Sequence, residues 1–279
     1  MQRVNNMKAI ETKGLTKFYG KARGITGLNL AVEEGEFFGF IGPNGAGKST
    51  TIRILTGLIK SSGGSASIFG KDVSGKKDEL LEDIGYLPSE AVFYNGMKVE
   101  DVIKLSADLR KRDCSADAAR LCDRLQLDTD KKVEELSFGN RKKVGIVCAL
   151  QHNPKLCILD EPTSGLDPLM QNRFIELVEE ERKRKKTILM SSHMFEEVER
   201  TCHRIGIIRA GKLVALDSVE SLRERYVRPY TVTLDTPELA EAFAKDFGGA
   251  CEGNRVTVTT KQSLEEIFMH YYGGDGNDQ

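Results

Sequence analysis

The chain has 279 residues, 39% of them hydrophobic, and a formal net charge of −1 from 41 basic and 42 acidic side chains. That length supports one large core with at most a small appendage, and the balanced charge gives no basic field of the kind that holds nucleic acid. The longest apolar runs, such as VGIVCAL at 144–150, fall short of the ~20 residues that cross a bilayer, and MQRVNNMKAI at the start has no apolar signal core.

In chain order, GITGLNLAV and GEFFGFIG read as strands separated by the turn EEG. The second strand runs into the loop GPNGAGKST, and TTIRILTGLI continues as a helix. SASIFG and DIGYLP are short strand candidates. From about residue 98 the pattern turns helical through VEDVIKLSADLRKR, SADAARLCDRLQL and the run after LSFGN. Strand signals return at LCILD, TILMSS and RIGIIRA. Between the first two of these, DPLMQNRFIELVEEERKRKK reads as a helix with Asp167 as N-cap and Pro168 in its first turn, acids first and bases last. RKRKK (182–186) is then a solvated helix end rather than a nucleic-acid patch. Strand, loop, helix and strand again make an α/β fold with a mainly parallel sheet, and the helical stretch at about 88–150 reads as an insert between sheet strands. Residues 228–272 read as strand, helix, strand, helix, with turns at Gly248-Gly249 and Gly253 and capping-box spacing at Ser263 and Glu266. Residues 273–279 read as a disordered tail. The six cysteines include no CxxC pair and are expected to be reduced, mostly buried thiols of a cytosolic protein.

Three stretches carry chemistry. GPNGAGKS (42–49) fits G-x-x-x-x-G-K-[ST] between a strand and a helix. Gly42, Gly45 and Gly47 let backbone N–H groups turn inward around phosphate oxygens. Lys48 reaches the outer phosphates of a nucleotide, Ser49 can ligate Mg²⁺, and the helix that follows offers its positive end. LCILDEP (156–162) ends an apolar strand in Asp160, a metal carboxylate, with Glu161 placed to polarise water for in-line attack. His193 follows the strand TILMSS, which is expected to end at the same sheet edge, within reach of a γ-phosphate. The plainer readings are a glycine turn, a buried strand ending in a turn, and a residue that starts the next helix. LSFGN (136–140) has no nucleophile, base or metal ligand, and by itself it looks like a capped helix start.

Together, in this order, these motifs resemble the nucleotide-binding subunits of ATP-binding-cassette (ABC) transporters, over about residues 8–227. The resemblance implies a P-loop NTPase core, with a mainly parallel sheet and an antiparallel β part, a helical subdomain insert and a small C-terminal α+β appendage. It implies ATP and Mg²⁺ as ligands, with Glu161, His193 and Lys48 catalytic and Ser49 and Asp160 on the metal. Tyr19 would stack on adenine, and Asn44 and Thr50 would line the phosphates with the loop glycines. LSFGN stands where the family has LSGGQ, and SGLD (164–167) is its dimer-contact loop. Two such subunits pack head to tail, so Ser137, Gly139, Asn140 and Asp167 would serve ATP held by a partner subunit. Phe138 departs from the usual glycine, and Ser89 stands where the family usually has Gln.

The family also implies the setting. The partners would be a second nucleotide-binding subunit, identical or different, and an integral-membrane permease, with no nucleic acid. The location would be cytoplasmic, peripheral on the inner face of the cell membrane. The C-terminal stretch ending in SLEEIFMHYY resembles that of bacterial exporter subunits. Two other readings stand beside this one: a soluble ABC-type ATPase acting on ribosomes or DNA, and a nucleotide-dependent binding module with little hydrolysis.

Overall fold

The computed structural model describes residues 7–20, 22–225 and 227–261. Its elements run β1 (Lys8–Tyr19), β2 (Ala22–Glu33), β3 (Phe37–Ile41), α1 (Lys48–Leu55), β4 (Gly63–Ile68), β5 (Lys71–Asp72), α2 (Lys77–Leu81) and β6 (Ile84–Leu87). Then come α3 (Val99–Leu109), α4 (Ser115–Arg124), a 3-10 turn at Val133–Glu135, α5 (Phe138–Leu150), β7 (Leu156–Asp160), α6 (Pro168–Lys183), β8 (Thr187–Ser192), α7 (Phe195–Thr201), β9 (Arg204–Arg209) and β10 (Lys212–Ser218). The chain divides into two compact units after Leu216.

In the first unit, β3, β7 and β8 are buried at every position, as strands covered on both faces must be. They form the centre of a six-stranded sheet of order β10-β9-β3-β8-β7-β6. The pairs β3–β8, β3–β9, β7–β8 and β6–β7 are parallel, so these strands end at one edge, where α/β sheets bind ligands. A second sheet of order β2-β1-β4-β5 is antiparallel throughout. One apolar cluster joins the two sheets through α1, with Ile10, Leu28, Phe40, Ile52, Ile158 and Ile208 among its members. The chain leaves the parallel sheet after β6 and re-enters it next door at β7, so α3, α4 and α5 form an excursion between adjacent strands.

The second unit contains α8 (Val219–Arg225), β11 (Val227–Thr233), α9 (Pro237–Phe247), β12 (Ala250–Glu252) and β13 (Arg255–Lys261). Its sheet has the order β11-β13-β12. The order strand, helix, strand is as expected, with turns at Gly248 and Gly253. The Gly253 turn, at φ 61°, folds the second strand into the hairpin β12–β13. The last expected helix, with Ser263 and Glu266, and the expected disordered tail lie outside the described residues.

Two details of α6 also differ. Asp167 does cap it, its side chain accepting from the Met170 N–H at 3.0 Å, but the first turn holds no acidic side chain. The acids lie further along the helix, where Glu180 and Glu181 pair with Arg120 of α4. RKRKK is not wholly solvated: Lys186 is buried and donates to the Asn153 carbonyl at 3.0 Å. All six cysteines are free thiols, with only Cys251 exposed. Burial pushes Cys157 and Cys202 up to about 12, which leaves them protonated and unreactive.

His152 closes the excursion against β6, with Nε2 3.2 Å from the Ile84 carbonyl and Nδ1 buried without a partner. Burial, helped by the charge of Arg110, pushes its imidazole down to about 4. The folded state therefore keeps His152 neutral where the unfolded chain takes up a proton. The stability it contributes is full above pH ~6.5 and falls by about 3 kcal/mol as the pH drops to ~4. Denaturant midpoints measured across that window should show this slope, and His152→Gln should flatten it.

Candidate active site at the carboxyl edge of the parallel sheet

The loop after β3 closes on itself before α1 begins. Gly47, at φ 113°, is the N-cap of α1, and a Cβ there would lie 2.6 Å from Ile25. Only glycine meets both demands. Lys48, the first residue of α1, is buried, and its ammonium turns back along the loop to the carbonyls of Gly42 at 2.6 Å and Pro43 at 3.2 Å. Ser49 and Thr50 are half-buried, while Asn44 and Gly45 are exposed. Tyr19 closes β1 with its ring against Gly24, whose carbonyl in turn approaches Gly47. Tyr19 is 46% exposed, with the Lys17 ammonium 5.4 Å from its ring centroid.

Two strands across, Asp160 ends β7 at 1% exposure, and its Oδ1 accepts from the Ser191 hydroxyl of β8 at 2.5 Å. Glu161 follows at φ 49°, a left-handed conformation that costs a non-glycine residue about 1–3 kcal/mol. Its N–H is held there by the Ser191 carbonyl and hydroxyl, each at 3.1 Å. The bend points its carboxylate between two cationic or titratable groups. Oε1 lies 3.5 Å from the Lys48 ammonium, and Oε2 lies 3.5 Å from His193 Nδ1. Lys48, Asp160, Glu161 and His193, drawn from three separate stretches of sequence, thus form one cluster. The nearby Tyr86 hydroxyl is pushed up to about 12 by burial and by the charge of Asp160, so it stays neutral.

Ser137, Gly139 and Asn140 form a second group. Ser137 is the N-cap of α5, its Oγ accepting from the Asn140 N–H at 3.2 Å. The nearest atoms to Gly139 are those of Gly165 and Leu166, and a Cβ there would lie 2.4 Å from the Gly165 carbonyl. Phe138 lies within the helix, and its ring covers Gly165. LSFGN and SGLD of one chain are therefore packed together, with Asp167 exposed at the start of α6.

Three side chains were not singled out in the sequence. Ser191 holds both Asp160 and Glu161. Glu197 of α7, buried and raised above the usual carboxylate range by that burial, accepts from Ser192 Oγ at 2.7 Å and Thr163 Oγ1 at 3.1 Å. It thereby joins the loop that follows Glu161 to the strand end that presents His193. Lys142 of α5 is the third. Their signal is a polar residue inside an otherwise buried run, which gains meaning only with its partner in place.

The sheet, the glycine loop and the two adjoining carboxylates define a P-loop nucleoside-triphosphate-binding protein. Residues 25–164 match the family described as ABC transporter. The chain is 37% identical over 220 residues to the bacitracin transport ATP-binding protein BcrA of Bacillus licheniformis, covering 77% of this chain and 72% of that protein. A solved ATP-binding subunit of an ABC transporter superposes with a TM-score of 0.72 at 30% identity, over 78% of this chain and 92% of that one. A dimeric bacterial ABC transporter cassette, MJ0796, superposes at 0.66 and 25% identity, over 75% and 98% of the two chains. The chain belongs to the ABC transporter family, as an ATP-binding subunit with ATPase activity. Such subunits work with a membrane permease, and among the described residues no helix is long and apolar enough to cross a membrane.

Proposed function

We propose that this chain hydrolyses ATP to drive export through a separate permease, bound at the inner face of the cell membrane as one of a pair of nucleotide-binding subunits. The observation that carries the reading is the cluster in which Glu161 stands 3.5 Å from both Lys48 and His193. Lys48 binds the outer phosphates, and the N–H groups of Gly42, Gly45 and Gly47, with Asn44 and Thr50, line them. Tyr19 stacks on adenine beside the loop. Glu161 orients a water and accepts its proton, and His193 donates to the γ-phosphate. Ser137, Gly139 and Asn140 contact the ATP of the partner subunit, and Asp167 lies in the shared interface. Asp160 and Ser49 are hard oxygen donors that suit Mg²⁺. Among the described residues no three His, Cys, Asp or Glu side chains converge as a metal site, so phosphate and water would complete the shell. When bound, Mg²⁺ neutralises phosphate charge. The pair is a homodimer or a heterodimer, and export is the direction implied by the resemblance of the C-terminal stretch to exporter subunits.

Ser89 is half-buried, and its backbone carbonyl, not its short side chain, accepts from Lys142. Ser89→Ala leaves that carbonyl in place. It should change basal phosphate release by less than about tenfold, roughly 1.4 kcal/mol on the barrier, and mainly weaken stimulation by the permease. A hundredfold basal loss with ATP binding intact would make the hydroxyl a direct ligand.

The exposure of Tyr94 supports a permease contact on the groove beside α3. Tyr94 is 75% exposed there, next to half-buried Phe93, with Leu105 and Leu109 also exposed. These residues line a cavity of about 910 Å³, an apolar seat for a cytoplasmic helix. The test is purification from membranes: the chain should bring a polytopic partner with it and release phosphate from ATP. Tyr94→Asp should lower both recovery of the partner and stimulated turnover at least tenfold. Turnover with no membrane partner would favour the ribosome- or DNA-directed reading, and binding without turnover the binding-module reading.

A further inference from the structure

Lys142 is 1% exposed, in the second turn of α5. A buried ammonium is costly to desolvate, and an aliphatic side chain would fill the same space. Its contacts show where the charge is directed. Nζ donates to the Pro88 carbonyl at 3.3 Å and to the Ser89 carbonyl, across a separation of 53 residues. It also lies 5.9 Å from the centroid of the Phe138 ring, at the start of its own helix. Burial lowers its proton affinity, and the charges of Asp160, Glu161 and Glu90 oppose that change. One ammonium therefore touches the turn after β6, faces the carboxylates of the ATP site and braces the helix start that carries Ser137 and Gly139.

We propose that Lys142 is a positioning residue that ties the Pro88-Ser89 turn to the N-terminus of α5 and so holds Ser137 and Gly139 in a fixed relation to that turn. The carbonyl pair accounts for the tie to the turn, and the short helical path accounts for the rest. Lys142 lies five residues after Ser137, and α5 holds its first turn through the Ser137 cap, so a pull on the second turn moves the first as a rigid piece. A neutral side chain would pack there and leave the turn unattached. The inference rests on the reading of the α5 N-terminus as part of a shared ATP site.

The test uses the full chain with Lys142→Met, which keeps the length and removes the ammonium. Hydrogen exchange is followed at residues 88–90 and 137–141 on addition of ATP, and turnover and KM are measured beside it. In the parent, ATP should slow exchange in both segments. In Lys142→Met the response at 88–90 should remain while that at 137–141 falls by more than half, with kcat down at least tenfold and KM within threefold. Parental coupling of the two segments, or turnover within twofold of the parent, would overturn the proposal. So would a fall in ATP affinity matching the fall in kcat, which marks a general loss of structure. If Lys142→Met shows no cooperative thermal transition, Lys142→Gln, whose polar end stops one bond short of the carbonyls, is read against the same thresholds. Normal hydrolysis by Ser137→Arg would instead remove the shared-site reading, and the exchange data would stand apart from it.

Discussion

Glu161→Gln is expected to bind ATP like the parent and to lose at least about a hundredfold in kcat, roughly 2.7 kcal/mol on the barrier. The amide has the shape of the carboxylate, and the backbone that aims it is held by the N–H bonds to Ser191, so the side chain should keep its place. What disappears is the negative charge 3.5 Å from Lys48 and His193, and with it the capacity to take a proton from water. If the ATP site is shared as proposed, binding energy across the dimer interface depends on the γ-phosphate, and slow hydrolysis should also leave an ATP-trapped dimer. Size-exclusion chromatography with ATP would show the dimer, and phosphate release would show the lost rate. Parental turnover would take Glu161 out of the catalytic role.

Ser137→Arg is expected to abolish hydrolysis while keeping ATP binding, because Ser137 caps α5, whose Gly139 packs on Gly165, and lies outside the phosphate loop. The substitution also removes the N-cap of α5, a loss of about 1 kcal/mol. A thermal transition measured beside the assay separates that modest loss from a collapse of turnover. Mixed with Lys48→Ala, which cannot hold its own phosphates, it should form one complete site per heterodimer and recover part of the activity. Full turnover by Ser137→Arg as a demonstrated monomer would end the shared-site reading.

The features legible in the sequence were those whose chemistry sits in a few consecutive residues. A strand, a glycine turn and a lysine at fixed spacing specify a phosphate loop wherever the core forms around it. An apolar run ending in two acids specifies a strand whose carboxylates emerge at a sheet edge. Short runs dominated by apolar residues and bounded by turns likewise marked β3, β7 and β8, because each is buried along its whole length. The short elements β5 and α2, with two and five residues, carry too little periodicity to stand out.

Only the tertiary structure decided how these pieces cooperate. Asp160 meets Ser191 across 31 residues, Thr163 meets Glu197 across 34, and Lys142 meets Ser89 across 53. No local pattern encodes such pairs. Each is chosen when sheet order β3-β8-β7-β6 sets strand ends side by side and burial leaves a hydroxyl, a carboxylate or an ammonium only a few partners within reach. Phe138 shows the same division. In the sequence it is a departure from a glycine, and in the fold it is the ring that covers Gly165. Local chemistry thus determined what the site could bind, and long-range packing determined which buried polar groups hold it in place.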